Sequence, residues 1–321
     1  MKIVTYAPEA WKYLNGIFCI YKPAGLKLEM TKKILLTNLV QDFNELEVRP
    51  PRNYVRIEGS VASGKSLTVK VVPNLADHPL VVGPRYQKQD FNLQSAVRHG
   101  DNISGIMVMA INDRDKLLDK FRYGNHLKTY HIKCQFGYAT ESFFADGKII
   151  EKATYEHIKH SDIDRAVSSV QCAHQTHAYK YAGVPLESQT AYELASQGII
   201  RPAGKSVALI YNIRCIHFDI PNFTLEVHCI NETELYLAQL VHDLGLYLKS
   251  CAVCVQLRKI RHGHFTLDHA LLRKHWTLEH ILNNIQFCRS LVYKDKLLPS
   301  TPHFEKLDES APKSLVSLEI D

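Results

Sequence analysis

The stretch Val97-Arg98-His99-Gly100-Asp101-Asn102-Ile103-Ser104-Gly105-Ile106-Met107-Val108-Met109-Ala110-Ile111 decides the fold of this chain. Residues 106–111 are continuously apolar and short, which is typical of a strand covered on both faces. The polar residues before them predict a turn, and a single carboxylate, Asp101, lies in it. A carboxylate on a loop that leads into such a strand can act as a nucleophile or base. It can also simply cap the turn.

The composition of the 321 residues is that of an ordinary soluble globular protein, with 45% hydrophobic and 22% charged residues. Lys plus Arg exceed Asp plus Glu by 39 − 33 = 6, which permits a polyanionic partner without requiring one. No segment is long and apolar enough to cross a bilayer, so no membrane association is expected. The first sixteen residues contain Lys2 and Lys12 but also Glu9, and they encode a mitochondrial presequence only weakly.

The eight cysteines are scattered, and several lie in apolar, strand-like runs. This pattern predicts buried free thiols in a reducing compartment rather than a disulfide framework. Cys251 and Cys254 form one isolated CxxC pair, without a second pair at zinc-ribbon spacing. No reaction centre surrounds Cys172, His174 and His177, so no metal is expected there either.

Strand and helix patterns are mixed along the chain rather than strictly alternating, which favours an α+β fold with a mixed, largely antiparallel central sheet flanked by helices. A helix is expected from Ser161, and another with an N-cap at Asn231. Residues 45–66 are polar and charged and predict an exposed connection. Further strands are expected at 16–22, 67–72 and 223–229, and further helices at 188–197, closed by Gly198, and from Trp276.

Six short segments, in this order, carry a family resemblance. They are Lys22-Pro23-Ala24-Gly25, Lys128-Thr129-Tyr130, Tyr192-Glu193-Leu194-Ala195, Leu225-Glu226-Val227-His228-Cys229, Leu240-Val241-His242-Asp243-Leu244-Gly245 and Leu257-Arg258. The collinear series resembles the TruB family of pseudouridine synthases, and most of all its mitochondrial animal branch. The likeness implies the pseudouridine-synthase catalytic fold in a main domain 15–290, which follows an N-terminal segment 1–14. It is weak over an insertion at 26–77. Pro, Ser and charged residues dominate the end of the chain, so a disordered tail is expected at 291–321.

The resemblance implies that a uridine in RNA is flipped out of its stack and isomerised to pseudouridine. A carboxylate acts at the sugar, with Asp101 as the candidate nucleophile, and Tyr130 stacks on the uracil. The implied RNA contacts are made by Lys22, Arg98, Lys128, Arg258 and Lys259. No metal or organic cofactor is required. The implied partners are an mRNA, tRNA or rRNA and proteins of an RNA-processing assembly, and the implied location is the mitochondrion.

The match breaks at two positions. The family has its catalytic Asp five residues before the Gly that opens the buried strand, and here that position is Gly100. The family's active-site Arg lies seven residues before the Gly of Leu-Gly, and here that position is Ala238. Asp101 would then be a relocated nucleophile, with Arg98 as the nearest replacement partner. A one-residue slip moves a carboxylate by up to about 3.5 Å, which is enough to affect the rate strongly.

Three interpretations therefore remain open from the sequence. The first is an active RNA uridine isomerase. The second is an inactive pseudosynthase that keeps the fold and binds RNA through its basic residues, Arg85 and Lys88 included. The third is a protein-interaction subunit that binds no RNA.

Overall fold

In the computed structural model the described residues are 5–48, 53–59, 62, 64, 66–97, 99–197, 201–202, 207–291 and 303–304. The helices are α1 Ala7–Tyr13, α2 Leu28–Glu45, α3 Pro79–Val82, α4 Leu117–Tyr123, α5 His160–Tyr181, α6 Gln189–Gln197, α7 Glu234–Tyr247 and α8 Leu278–Leu291. The strands are β1 Gly16–Lys22, β2 Asn53–Glu58, β3 Thr68–Pro73, β4 Leu93–Ser95, β5 Ile103–Ile111, β6 Lys128–Phe136, β7 Tyr138–Thr140, β8 Ile149–Lys152, β9 Arg201–Pro202, β10 Leu209–Asp219, β11 Asn222–Ile230, β12 Ala252–His262, β13 Phe265–Thr266 and β14 His303–Phe304.

An eight-stranded sheet organises the molecule, in the order β1-β5-β12-β6-β11-β10, with β4 also paired to β5 and β13 to β12. The β5–β12 pairing is parallel. The other pairings in this sheet are antiparallel. The predicted α+β fold with a mixed, largely antiparallel sheet is therefore confirmed.

Strand β5 has the double burial that its sequence predicts, because all nine of its residues are buried. On one face, Met107 and Met109 pack in a core with residues of β1, α1, α2 and α8. On the other face, Ile106 and Val108 pack in a core with residues of α4. Helices α5 and α7 cover the remaining strands through a third core. The core helices α1 and α2 belong to the segments 1–14 and 26–77, and the predicted domain division remains a prediction.

Three local predictions need correction. Helix α7 has Thr233 as its N-cap, because the Thr233 side chain accepts a hydrogen bond from the Tyr236 amide at 3.1 Å. Asn231 instead has a φ of 56° and lies in the turn before the helix. The connection predicted at 45–66 contains β2, which pairs with β3 as a separate two-stranded sheet. Of the thiols, Cys172 is exposed and Cys215 half-buried, whereas the other six are buried, and all eight are free.

Some predictions lie outside the described residues. They concern Arg98, Gly198 and most of the tail 291–321. Within that tail, His303 and Phe304 pair in parallel with residues 201 and 202. Across the described helices, none is long and apolar enough to cross a membrane.

Candidate active site

Polar side chains from both halves of the eight-stranded sheet meet where β5 pairs with β12. In one half β1 ends and β5 begins at this junction, and in the other half β6 begins and β11 leads into α7 beside it. Lys22 and Lys259 both pair with Gly105, and Lys259 pairs in turn with Tyr130. The parallel β5–β12 pairing joins the two halves of the sheet, and Gly105 allows the backbones of the two strands to approach closely. Gly105 has a φ of +109°, and a Cβ on it would overlap the Lys259 carbonyl. The glycine that opens the buried strand therefore serves this contact.

Lys22 links the end of β1 to the loop that contains Asp101. Its ammonium is fully buried and donates to the carbonyl oxygens of Pro23, Asp101 and Ile103 at 3.1, 3.0 and 2.9 Å. Burial lowers the pKa of Lys22, and the charges of Asp101 and Glu234 oppose this effect. Lys22 therefore holds the loop in place and brings a positive charge to it.

Lys128, Tyr130 and Glu232 form a compact hydrogen-bonded network. The Lys128 ammonium pairs with Glu232 Oε1 at 2.9 Å, and the Tyr130 hydroxyl donates to the same oxygen at 2.6 Å. All three groups are almost completely removed from solvent. Burial, followed by the charge of Glu232, raises the pKa of Tyr130 well above its ordinary value, so this hydroxyl stays protonated and donates. Glu232 is thus fully engaged by its neighbours.

Lys259 is 2% exposed and lies beside His99, with 3.2 Å between its Nζ and His99 Nδ1. Burial and the nearby positive charge of Lys128 lower the pKa of Lys259 to about 7, although Glu232 acts in the opposite direction. Burial and the surrounding lysines also lower the pKa of His99 well below its ordinary value. A neutral His99 accepts at Nδ1, and its buried Nε2 has no hydrogen-bond partner among the described residues.

Gly100 packs directly against the Glu234 side chain. A Cβ at position 100 would overlap Glu234 Oε2 and would lie 2.6 Å from its Cδ. Both carboxylate oxygens of Glu234 lie 3.3 Å from the Asn102 amide, which donates to them. The Asp101 and Asn102 side chains are exposed. The loop thus meets a carboxylate that comes from the first residue of α7.

Ala238 and Arg258 lie outside this cluster of charges. Ala238 is fully buried in the core beneath α7. Arg258 is exposed on β12, and its guanidinium lies 5.6 Å from the centroid of the Tyr21 ring. Arg85 and Lys88 are also exposed. The residues named for RNA contact therefore divide into the buried Lys22, Lys128 and Lys259 and the exposed Arg258.

A cavity of about 470 Å³ opens beside the network and shares Lys128 and Glu232 with it. This volume is typical of a ligand-binding cavity, for which about 300–1,000 Å³ is usual. Phe121, His126 and His262 supply aromatic surface, and Arg122 supplies a positive charge. Among the described residues, no group of three or more His, Cys, Asp or Glu side chains could hold a metal ion.

Sequence reasoning named Lys22, Lys128, Tyr130 and Lys259, and the structure brings these four together at the β5–β12 junction. It missed Glu232, Glu234 and His99. The available signal was Asn231-Glu232-Thr233-Glu234, two carboxylates directly after a strand that is identifiable from its alternation. The capping role assigned to Asn231 concealed the positions of both carboxylates.

Comparisons with known proteins agree with the series of motifs. The family model described as TruB family pseudouridylate synthase (N terminal domain) matches residues 101–235. The mitochondrial pseudouridylate synthase TRUB2 of Xenopus tropicalis is 39% identical over 296 residues, which cover 90% of each chain. The mitochondrial TRUB2 protein of Rattus norvegicus is 41% identical over 85% of each chain. The archaeal box H/ACA sRNP Nop10-Cbf5 complex aligns over 90% of this chain and 60% of that chain, with a TM-score of 0.43 and 12% identity, which is too low to support an argument.

Proposed function

The chain belongs to the TruB family of pseudouridine synthases, and we propose that it isomerises uridine to pseudouridine in RNA at the charged cluster beside the β5–β12 junction. The TRUB2 relatives that match 85–90% of this chain are named mitochondrial, and the chain is a member of that mitochondrial branch. The observation that carries the proposed activity is the buried Lys128–Glu232–Tyr130 network beside a cavity of about 470 Å³.

The chemistry requires a closed site, because a carboxylate reacts at a sugar most readily where water does not screen its charge. The charged cluster is shielded from water, since Lys22, Lys128 and Lys259 are each at most 7% exposed. It also provides cations that stabilise the uracil anion formed when the base leaves the sugar.

We assign Tyr130 the stacking role on the flipped uracil. Its ring is 1% exposed, and the Lys259 Nζ lies 5.7 Å from its centroid. A base therefore reaches the ring only when the side chains around it move, and a flipped nucleotide would provide the binding energy for that movement.

Exposed basic residues support the binding of an RNA backbone outside the buried cluster. Arg258 lies on the surface of β12 next to the buried Lys259, and its planar guanidinium is suited to phosphate. Lys22, Lys128 and Lys259 have intramolecular partners, so their contacts with RNA would be made inside the site and with the target nucleotide.

Tritium release from RNA that contains [5-³H]uridine tests the activity, because the C5 hydrogen is lost when C5 bonds to the sugar. Purified full-length protein would be incubated separately with transcripts of mitochondrial mRNA, tRNA and rRNA. We expect enzyme-dependent release from at least one class, which would also identify the substrate. RNA binding without release from any class would overturn the proposed activity and identify an inactive RNA-binding protein.

A further inference from the structure

We propose that Glu234, from the first turn of α7, supplies the carboxylate that acts on the ribose. The inference rests on the proposed isomerase activity and assigns its reacting residue. Among the described residues, three carboxylates lie beside the β5–β12 junction, those of Asp101, Glu232 and Glu234, and their surroundings differ.

The packing of Gly100 locates the Glu234 carboxylate. A Cβ at position 100 would overlap Glu234 Oε2, and it would lie 2.6 Å from Cδ and 2.8 Å from Cβ of Glu234. A side chain growing from position 100 would therefore occupy the space that the Glu234 carboxylate fills. Glu234 thus places a carboxylate at the point of the loop where the chain has a glycine.

The other two carboxylates are less suited to the reaction. Glu232 is paired with Lys128 and accepts from Tyr130 on the same oxygen, which stabilises its charge and leaves it less nucleophilic. The Asp101 side chain is exposed to solvent, and the Lys22 ammonium binds its carbonyl rather than its carboxylate.

Glu234 is held without being neutralised by a direct ion pair among the described residues. It is partly exposed, so a ribose has access to it, and from the described part of the chain its oxygens accept only the long 3.3 Å hydrogen bonds of the Asn102 amide. Burial lowers the pKa of Lys22, and the charges of Asp101 and Glu234 oppose this effect. The partial positive charge at the start of α7 also attracts the Glu234 carboxylate.

The buried His99 supplies a second, independent sign of a ligand-binding site. It directly precedes Gly100, it is 4% exposed, and its Nε2 has no partner among the described residues. A neutral His99 carries a proton on this nitrogen when Nδ1 accepts from Lys259. An unpaired buried donor costs free energy that a bound acceptor, such as a uracil carbonyl, would recover.

In the proposed step a Glu234 oxygen forms a bond to ribose C1′ while the C1′–N1 bond breaks, and uracil leaves with the electron pair on N1. The uracil anion turns over, its C5 bonds to C1′, and the carboxylate leaves with its electron pair. The C5 proton then passes to solvent and N1 takes a proton from solvent. Atoms and charge balance, and no co-reactant is consumed.

The test compares tritium release by wild type, E234Q, E234A, the double variant G100D E234A and the control E279Q, on transcripts containing [5-³H]uridine. Glu279 is an exposed carboxylate in the first turn of α8, outside the site. We expect E234Q to lose at least about 10³-fold of the rate, as removal of a nucleophile does, and E279Q to retain the wild-type rate. The G100D E234A double variant should release tritium at least about tenfold faster than E234A, because the aspartate introduced in place of Gly100 returns a carboxylate to the same place.

A loss of less than about tenfold in E234Q would overturn the assignment while the isomerase activity stands. Failure of all transcripts to release tritium with wild type would overturn the activity and the assignment together. Thermal melts and RNA binding of each variant report on folding. If E234Q does not fold, or if its loss is intermediate, equal release by E234A and G100D E234A would overturn the assignment, and faster release by the double variant would support it.

Discussion

Lys259 is buried between Tyr130 and His99, where an ammonium loses most of its hydration. Burial and the neighbouring Lys128 lower its pKa to about 7, even though Glu232 lies close enough to oppose the shift. A free lysine keeps its proton up to a pH of about 10.4. The folded protein therefore releases a proton from Lys259 in a pH range where the unfolded chain still binds it.

This difference predicts a pH-dependent stability. Between the folded pKa of about 7 and the unfolded pKa the unfolded state binds more protons, so the free energy of unfolding should rise with pH. The contribution of one group is at most about 1.4 kcal/mol per pH unit. We expect the K259M variant, which keeps the side-chain length without the charge, to lose this contribution. Urea unfolding of wild type and K259M at pH values from 7 to 8.5 measures it.

The difference between the two proteins reports Lys259 together with the neighbours whose pKa it lowers, His99 and His262 among them. Below pH 7 folded Lys259 is charged, and burying this charge costs the most free energy there. The free energy of unfolding of K259M should therefore exceed that of wild type by most below pH 7. Identical pH slopes for the two proteins between pH 7 and 8.5 would show that Lys259 keeps its charge throughout this range.

The sequence identifies the residue types of the site better than their positions. Lys22, Lys128 and Tyr130 were found through motifs that are contiguous in the chain. Glu234 was not, because its contact with Gly100 joins residues 134 positions apart and depends on where α7 begins. Asp101 remains a sequence prediction, which the Glu234 variants also test.

At the level of elements, the start of α7 decides where Glu234 lies. Thr233 has extended backbone angles and accepts from the Tyr236 amide through its hydroxyl, as an N-cap does. Asn231 also belongs to a residue type that caps helices, but its φ of 56° is outside the extended region that an N-cap needs. Residue type alone could not separate these two candidates, and the error was two positions.

Removing the cap should weaken the helix. We expect T233A to lower the free energy of unfolding by about 1 kcal/mol, because an amide of the first turn of α7 loses its acceptor. T233S keeps the hydroxyl and should remain within about 0.5 kcal/mol of wild type. Urea denaturation of the three proteins measures both effects. Equal stabilities of T233A and wild type would show that this hydrogen bond does not stabilise the folded protein.

The positions of the strands were easier to predict from the sequence than which strands pair with each other. Strand β5 is buried on both faces and is continuously apolar, whereas β11 is buried on one face and alternates. Both patterns can be read directly from the sequence. The parallel pairing of β5 with β12 joins segments about 150 residues apart, and no local pattern specifies it. The site is formed across this junction, and for that reason its geometry could not be predicted.

At the scale of the whole molecule, burial of the thiols provides a test of the fold. Cys172 is exposed and Cys215 half-buried, while the remaining six cysteines are buried. Burial raises the pKa of Cys215, and that of Cys254 to about 12, so these thiols stay protonated and unreactive. We expect a thiol reagent to modify Cys172 first, and the six buried cysteines only in denaturant. In C172S the fast phase should be absent, whereas fast labelling of Cys19 or Cys134 would contradict the packing of the sheet.

The last prediction concerns how RNA is held, and it follows from the division between buried and exposed cations. An exposed cation that contacts phosphate releases counterions, so the logarithm of the affinity falls with the logarithm of the salt concentration. Arg258 is exposed on β12, next to Lys259 in the chain. Arg289 is exposed at the start of β1, the opposite end of that strand from Lys22, where it donates to the Asn15 carbonyl at 2.9 Å. The two arginines therefore form a matched pair.

We expect R258Q to reduce the magnitude of the salt slope by about 1, since about 0.7–0.9 of a counterion is released per phosphate contact. R289Q should keep the wild-type slope. Fluorescence anisotropy with a labelled transcript between about 50 and 200 mM salt measures both. An unchanged slope in R258Q would place the RNA backbone away from β12. A reduced slope in R289Q would place the binding surface at the start of β1, and a target nucleotide could not then reach the buried cluster from it.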